Sequence, residues 1–204
     1  MRDGHAPVMT QVYLGLGSNV QRGVNLCTGL NALARLLQDI ECSPVFLSEA
    51  VGPSSSLFFN MVVGGKTSLE PERLQENLKR IESSCGRHRG TPNQITLDID
   101  ILLYGDLCAR FESFQIPRAE ILENAFVLWP LSIIASDLLH PILQEPYSEL
   151  WKRLDLQQRL WPVPFEWRGQ NLTGRNLIRA LSPNLSRNLP GTPLFLNPHM
   201  SLSL

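Results

Sequence analysis

The chain has 204 residues, 43% of them hydrophobic, which is enough for one sizeable core and too little for two full-sized domains. Lys plus Arg total 18 against 19 Asp plus Glu, so overall charge gives no support to a nucleic-acid partner, and any anion site has to be local. No apolar run reaches the roughly 18 residues of a membrane-spanning helix, and the opening MRDGHAPVMTQ is too polar for a secretory signal. Cys27, Cys42, Cys85 and Cys108 lack C-x-x-C or Cys/His ligand spacing, so reduced thiols in a cytoplasmic protein with no membrane partner are expected.

Thr10 to Gly17 is rich in strand formers and ends in Gly-Ser-Asn, a cluster that closes a strand. From Val24 to Leu37, leucines at 26, 30, 33 and 37 recur at helical steps and predict a buried amphipathic helix. Cys42 to Val51 and Phe58 to Thr67 read as strands around a Gly-Pro-Ser-Ser-Ser loop. Leu69 to Cys85 reads as a helix through Leu74, Leu78 and Ile81, with Pro71 in its first turn, where a missing N–H is harmless. A polar, broken stretch from Arg87 to Gln94 precedes a strand from Ile95 to Tyr104. The order βαββαβ predicts an α+β, ferredoxin-like antiparallel sheet with its helices on one face and the other face open to a ligand. Pro117, Pro130 and Pro141 are expected to cut the segment 116–143 into short helices and turns, followed by a helix over 147–156. A domain spanning 10–165 is expected, with 166–204 a poorly ordered extension.

Inside the last strand, Asp98 and Asp100 alternate with apolar residues and therefore share one sheet face. Two neighbouring anions there make sense if a hard divalent cation such as Mg2+ binds between them. Spacing alone is equally consistent with a solvated sheet face. Arg87, His88 and Arg89, just upstream, are close enough to reach phosphate oxygens near the same face. Gly15-Leu16-Gly17-Ser18-Asn19 lacks the spacing of either a dinucleotide fingerprint or a P-loop. Phe58 and Asn60 put a ring and an amide on one strand face, a pairing suited to a flat heterocycle, although such a pair alone is more often core packing.

Taken together, several motifs in this order resemble the 6-hydroxymethyl-7,8-dihydropterin pyrophosphokinase family over about 12–160. They are Leu16-Gly17-Ser18-Asn19, Ser43-Pro44-Val45 with Val51-Gly52-Pro53, Phe58-Phe59-Asn60, Gly86-Arg87-His88-Arg89, Thr96-Leu97-Asp98-Ile99-Asp100-Ile101-Leu102 and Ala125-Phe126-Val127-Leu128-Trp129-Pro130-Leu131. A monomer is expected, and the resemblance implies an enzyme that takes ATP and a reduced pterin, uses two Mg2+ ions and releases AMP. It implies Asp98 and Asp100 at the metal, and Ser48, Phe58, Asn60 and Phe126 at the pterin. Glu82, Arg89, Ile101 through its backbone, and Arg118 are implied at ATP, with Arg87, Arg89 and Arg118 assisting phosphoryl transfer. The chain departs from the family where Thr91-Pro92-Asn93-Gln94-Ile95 replaces Arg-Trp-Gly-Pro-Arg, where Arg118 stands at the usual histidine, and where Asn124 replaces an arginine. Arg118 is expected to take over the phosphate neutralisation lost at 95 and 124. The alternatives are a paralogue acting on a different reduced pterin and a pterin-binding protein without turnover.

Overall fold

A computed structural model describes residues 8–51, 56–86, 94–156, 158–176 and 178–179. Six strands form one antiparallel sheet: β1 (Thr10–Ser18), β2 (Gln38–Cys42), β3 (Val45–Glu49), β4 (Leu57–Thr67), β5 (Asp98–Tyr104) and β8 (Leu160–Val163). The order across it is β5-β1-β4-β3-β8, with β2 also paired to β4. Helices α1 (Arg22–Leu36) and α2 (Pro71–Ser84) connect β1 to β2 and β4 to β5. This is the ferredoxin-like arrangement that the βαββαβ order implies.

Strand alternation sorts the side chains. Val12, Leu14 and Leu16 of β1, Phe59, Met61 and Val63 of β4, and Ile99 and Ile101 of β5 join Leu26, Leu30, Leu33, Leu74 and Leu78 in the main core under α1 and α2. α1 lies so close to the end of β5 that a Cβ on Gly29 would meet Leu97 Cδ2 at 2.9 Å, so a larger residue there would have to push that side chain aside.

The opposite face is half covered. After β5 come the hairpin β6 (Ala109–Arg110) and β7 (Gln115–Ile116), then α3 (Glu120–Glu123), α4 (Ala125–Ile134) and α5 (Tyr147–Arg153). Ile121, Val127, Leu128, Leu131, Tyr147 and Leu150 pack there with Val62, Leu102 and Leu103. Phe46 on β3 packs with Trp129 and Leu160 alongside. The open ligand face is thus confined to one end of the sheet. Pro130, expected to end a helix, lies inside α4. It has no N–H to give the Phe126 carbonyl, yet Leu128, Trp129 and Leu131 are buried on both sides of it, and their packing holds the helical path.

The strand expected over 42–51 is two strands. Pro44 cannot donate to the ladder, and the Ser43 hydroxyl instead accepts the Val62 N–H at 2.9 Å, so β2 gives way to β3 along the same partner β4. β8 carries Pro162 opposite Phe46, which a strand tolerates only at a sheet edge.

Packed structure also continues past residue 165, contrary to the expectation of poor order from 166. β9 (Glu166–Trp167) and β10 (Gln170–Asn171) form a small hairpin, and Phe165 and Trp167 are buried in the main core. The Trp167 indole N–H donates to Asn31 Oδ1 on α1 at 3.2 Å. These two aromatic anchors supply the apolar area that holds the hairpin against the core. Thr173 is fully buried and its hydroxyl accepts the Val45 N–H of β3 at 2.7 Å. Thr173→Val keeps the shape but orphans that buried donor, which costs about 1–3 kcal/mol. A melting temperature lowered by roughly 2–4 °C per kcal/mol in thermal denaturation is expected. An unchanged melting temperature would mean that this segment does not hold the sheet.

Candidate active site

Two rows of residues run from the uncovered end of the sheet to residues buried under its covering helices. In one, Asp98 on β5 pairs with Gly17 on β1, which pairs with Asn60 on β4, which pairs with Phe46 on β3. In the other, Asp100 pairs with Gly15, and Gly15 with Val62. Because Leu14 and Leu16 point into the helical core, Gly15 and Gly17 face the open side. A Cβ on Gly17 would lie 3.1 Å from Asn60 Oδ1, and one on Gly15 would lie 3.3 Å from Leu102. The two glycines therefore make a bare floor between an acidic wall on β5 and a polar wall on β4. That floor is a site feature the sequence reading missed, although glycines two apart in a strand were visible there.

On the acidic wall, burial and then the Asp98 charge push the Asp100 carboxyl up to about 6, with Glu120 adding to the effect and Arg118 and Lys79 opposing it. Arg118 Nη2 lies 3.2 Å from Asp100 Oδ2 and 3.1 Å from Glu120 Oε1. Its backbone N–H donates to the Leu102 carbonyl at 3.0 Å, which fixes the residue beside β5. Lys79 on α2 reaches Glu82 Oε1 at 2.6 Å and Asp98 Oδ1 at 3.8 Å. Among the described residues, no cluster of three or more His, Cys, Asp or Glu side chains forms a metal cage. Two carboxylates with a charge in excess fit Mg2+, which keeps several waters and takes its remaining ligands from substrate phosphates.

Glu82 is 1% exposed and accepts the Ile99 N–H of β5 at 2.9 Å as well as Lys79. It ties α2 to the edge strand as a buried strut. The Ile101 side chain is buried in the helical core, away from the site face, which leaves only its backbone for a ligand. Asn124 accepts from Gln158 Nε2 at 2.9 Å, while Gln158 Oε1 accepts the Ala125 N–H at 2.6 Å, so this position fastens the start of α4. Arg87 and Arg89 lie outside the described residues.

On the polar wall, Asn60 is buried and its Nδ2 donates to the buried Ser48 hydroxyl at 2.7 Å. Phe58 follows the same strand face and pairs with Ser48 across the ladder. Phe126 is half-buried in the first turn of α4, the helix that packs over β4 and β3. Beyond the acidic wall, a cavity of about 710 Å³ opens between α2 and the β6–β7 hairpin, lined by Gln75, Glu76, Lys79, Phe111 and Phe114 among others. Phe111 and Phe114 stack with ring centroids 4.3 Å apart. Neither this cavity nor Lys79 was anticipated from sequence. The only signal for Lys79 was its position three residues before a carboxylate on the same helix.

A family model described as 7,8-dihydro-6-hydroxymethylpterin-pyrophosphokinase matches residues 13–136. The chain is 35% identical over 146 residues to the 2-amino-4-hydroxy-6-hydroxymethyldihydropteridine pyrophosphokinase of Aquifex aeolicus, covering 69% of this chain and 90% of that one. It is 36% identical over 138 residues to the protein of that name from Haemophilus influenzae, covering 65% and 86%. Among solved structures, wild-type HPPK-DHPS of Plasmodium falciparum with pteroate superposes with a TM-score of 0.59 at 14% identity, covering 73% of this chain and 45% of that chain. That likeness bears on the fold alone. The match to the family model and the two bacterial relatives place the chain in the hydroxymethyldihydropterin pyrophosphokinase family.

Proposed function

We infer that this chain transfers a diphosphate from ATP to the hydroxymethyl oxygen of 6-hydroxymethyl-7,8-dihydropterin in folate biosynthesis and releases AMP. The observation that carries the reading is the bare Gly15–Gly17 floor, with Asp98 and Asp100 on one side and the Ser48–Asn60 pair on the other. The pterin ring lies over β4, where Asn60 reads its polar edge and Phe58 and Phe126 supply the apolar faces. The triphosphate runs along β5 from the cavity between α2 and the β6–β7 hairpin, with the nucleoside end near Phe111 and Phe114.

The hydroxymethyl oxygen attacks the β-phosphorus in line, the bond from that phosphorus to the α,β-bridging oxygen breaks, and the hydroxyl proton is lost to solvent. Asp98 and Asp100 would hold two Mg2+ ions, which when bound neutralise charge on the β- and γ-phosphates. Arg118, with Arg87 and Arg89, adds fixed positive charge there. Positioning and charge neutralisation supply most of the catalysis in such a transfer, so no side chain has to become a covalent nucleophile. The Cys42 thiol, pushed up to about 12 by burial and then Glu41, is unsuited to that role. The four free cysteines fit a cytoplasmic enzyme.

The test is AMP formation from ATP, Mg2+ and 6-hydroxymethyl-7,8-dihydropterin, with the pterin diphosphate measured in parallel. Equal amounts of both products are expected. Pterin binding without AMP, or ADP in place of AMP, would overturn the assignment.

A further inference from the structure

We propose that Lys79 and Arg118 are exchangeable counter-ions, which neutralise Asp98 and Asp100 in the ligand-free chain and move onto the phosphate oxygens when a metal–nucleotide complex binds. The proposal rests on the reading above that the two aspartates hold the cation.

Each basic side chain bridges two carboxylates, one on the site face and one behind it. Lys79 Nζ sits 2.6 Å from Glu82 and 3.8 Å from Asp98. Arg118 Nη2 sits 3.1 Å from Glu120 and 3.2 Å from Asp100. The acid behind each one keeps it at the rim when its aspartate is taken. Lys79 also lines the cavity beside Phe111 and Phe114, so its ammonium already borders the space from which a nucleotide would approach. Arg118 is held by its backbone to Leu102 on β5, so only its side chain has to turn.

A divalent cation arriving alone has to displace both groups, and the displaced charges then face a cation with no new anion to bond. Bare metal therefore binds weakly. A nucleotide brings phosphate oxygens with the metal, each basic group regains a charge-assisted partner, and the two ligands bind with positive coupling. Because coupling is reciprocal, the same pair of side chains raises nucleotide affinity in the presence of metal by the factor by which nucleotide raises metal affinity.

The probes are Mn2+ alone, with free ion followed by electron paramagnetic resonance, and Mn2+ with α,β-methylene-ATP, whose bridging carbon prevents transfer. In the protein without nucleotide, Lys79→Gln and Arg118→Gln should each tighten Mn2+ by about three- to tenfold, since a competing cation has gone. In the ternary complex the same variants should weaken binding by about tenfold or more. Arg118→Lys, which keeps the charge, should stay near wild type in both. Arg153→Gln, removing a cation that pairs with Glu145, should change neither and so excludes a general charge effect. Basic-residue variants that shift both affinities in one direction, or leave Mn2+ binding to the free protein unchanged, overturn the exchange. Asp98→Asn and Asp100→Asn separate the two levels of inference. If they lose Mn2+ while the basic variants gain nothing, only the exchange fails. If they retain it, the metal assignment itself is wrong.

Discussion

Asp100→Asn is expected to lower diphosphate transfer by about a thousandfold or more and, in metal-free buffer at pH 7, to make the folded chain more stable than wild type. The first effect follows from removing an anionic ligand beside Asp98. The second follows from what the fold does to that anion. Burial, then Asp98, push the Asp100 carboxyl up to about 6 from an ordinary 3.8, so the folded chain favours the neutral form. The sign follows from proton counts. Between pH 3.8 and about 6 the folded chain holds this proton while the unfolded chain has lost it, so stability falls as pH rises through that window. An amide has no proton to lose and escapes the penalty. At about 1.4 kcal/mol per unit for this net shift, discounted for the solvent that still reaches the carboxylate, a stabilisation of about 1–2 kcal/mol remains. For a chain of this length that is a melting temperature higher by roughly 2–8 °C. Denaturation of both proteins in EDTA across pH 4–8 checks the magnitude and the slope. An Asp100→Asn chain less stable than wild type at pH 7 would show that Arg118 compensates the charge fully.

The legible part of this molecule was what side-chain presence encodes. Helical steps of leucine located α1, and Leu74 and Leu78 located α2, because burying one stripe against a sheet demands that period. Alternation put Asp98 and Asp100 on one face of their strand and Phe58 and Asn60 on one face of theirs, and the register across Gly17 brings the first acid level with the amide. What stayed hidden depended on partners distant in sequence. The strand β8 was not expected from sequence, because its Pro162 is tolerated only at the sheet edge beside β3, where a missing N–H is harmless. Pro130 argued against a continuous helix until burial on both sides of it was known. Glu82 belonged to the same stripe as Leu74 and Leu78, a spacing that points to burial, and it is buried as a strut to Ile99. The Gly15–Gly17 floor is defined by atoms that are missing, and its meaning appears only when the walls on β4 and β5 are known.

Asn60→Ala is expected to weaken binding of the reduced pterin by about 30- to 100-fold while leaving binding of the metal–nucleotide complex within about twofold. A heterocycle with donor and acceptor edges that loses its reading amide is left with buried unpaired groups, and such sites discriminate far more strongly than apolar ones. The nucleotide lies along β5 in this reading, separated from Asn60 by the whole width of β1. The role of Ser48 makes the prediction sharper. Its hydroxyl accepts from Asn60 Nδ2 at 2.7 Å, and this bond fixes the amide so that Oδ1 faces the space above Gly17. Ser48→Ala frees that rotation and should weaken pterin binding about three- to tenfold. If Ser48 acts only through Asn60, then removing it from a chain already carrying Asn60→Ala changes nothing more, and the double variant should bind pterin as Asn60→Ala alone does. Calorimetric titration of the four proteins with pterin, and separately with Mg2+ and α,β-methylene-ATP, completes the cycle. Additive losses would mean that Ser48 contacts the pterin itself. Equal losses for both ligands would mean that the substitutions disturb the sheet rather than the edge-reading amide.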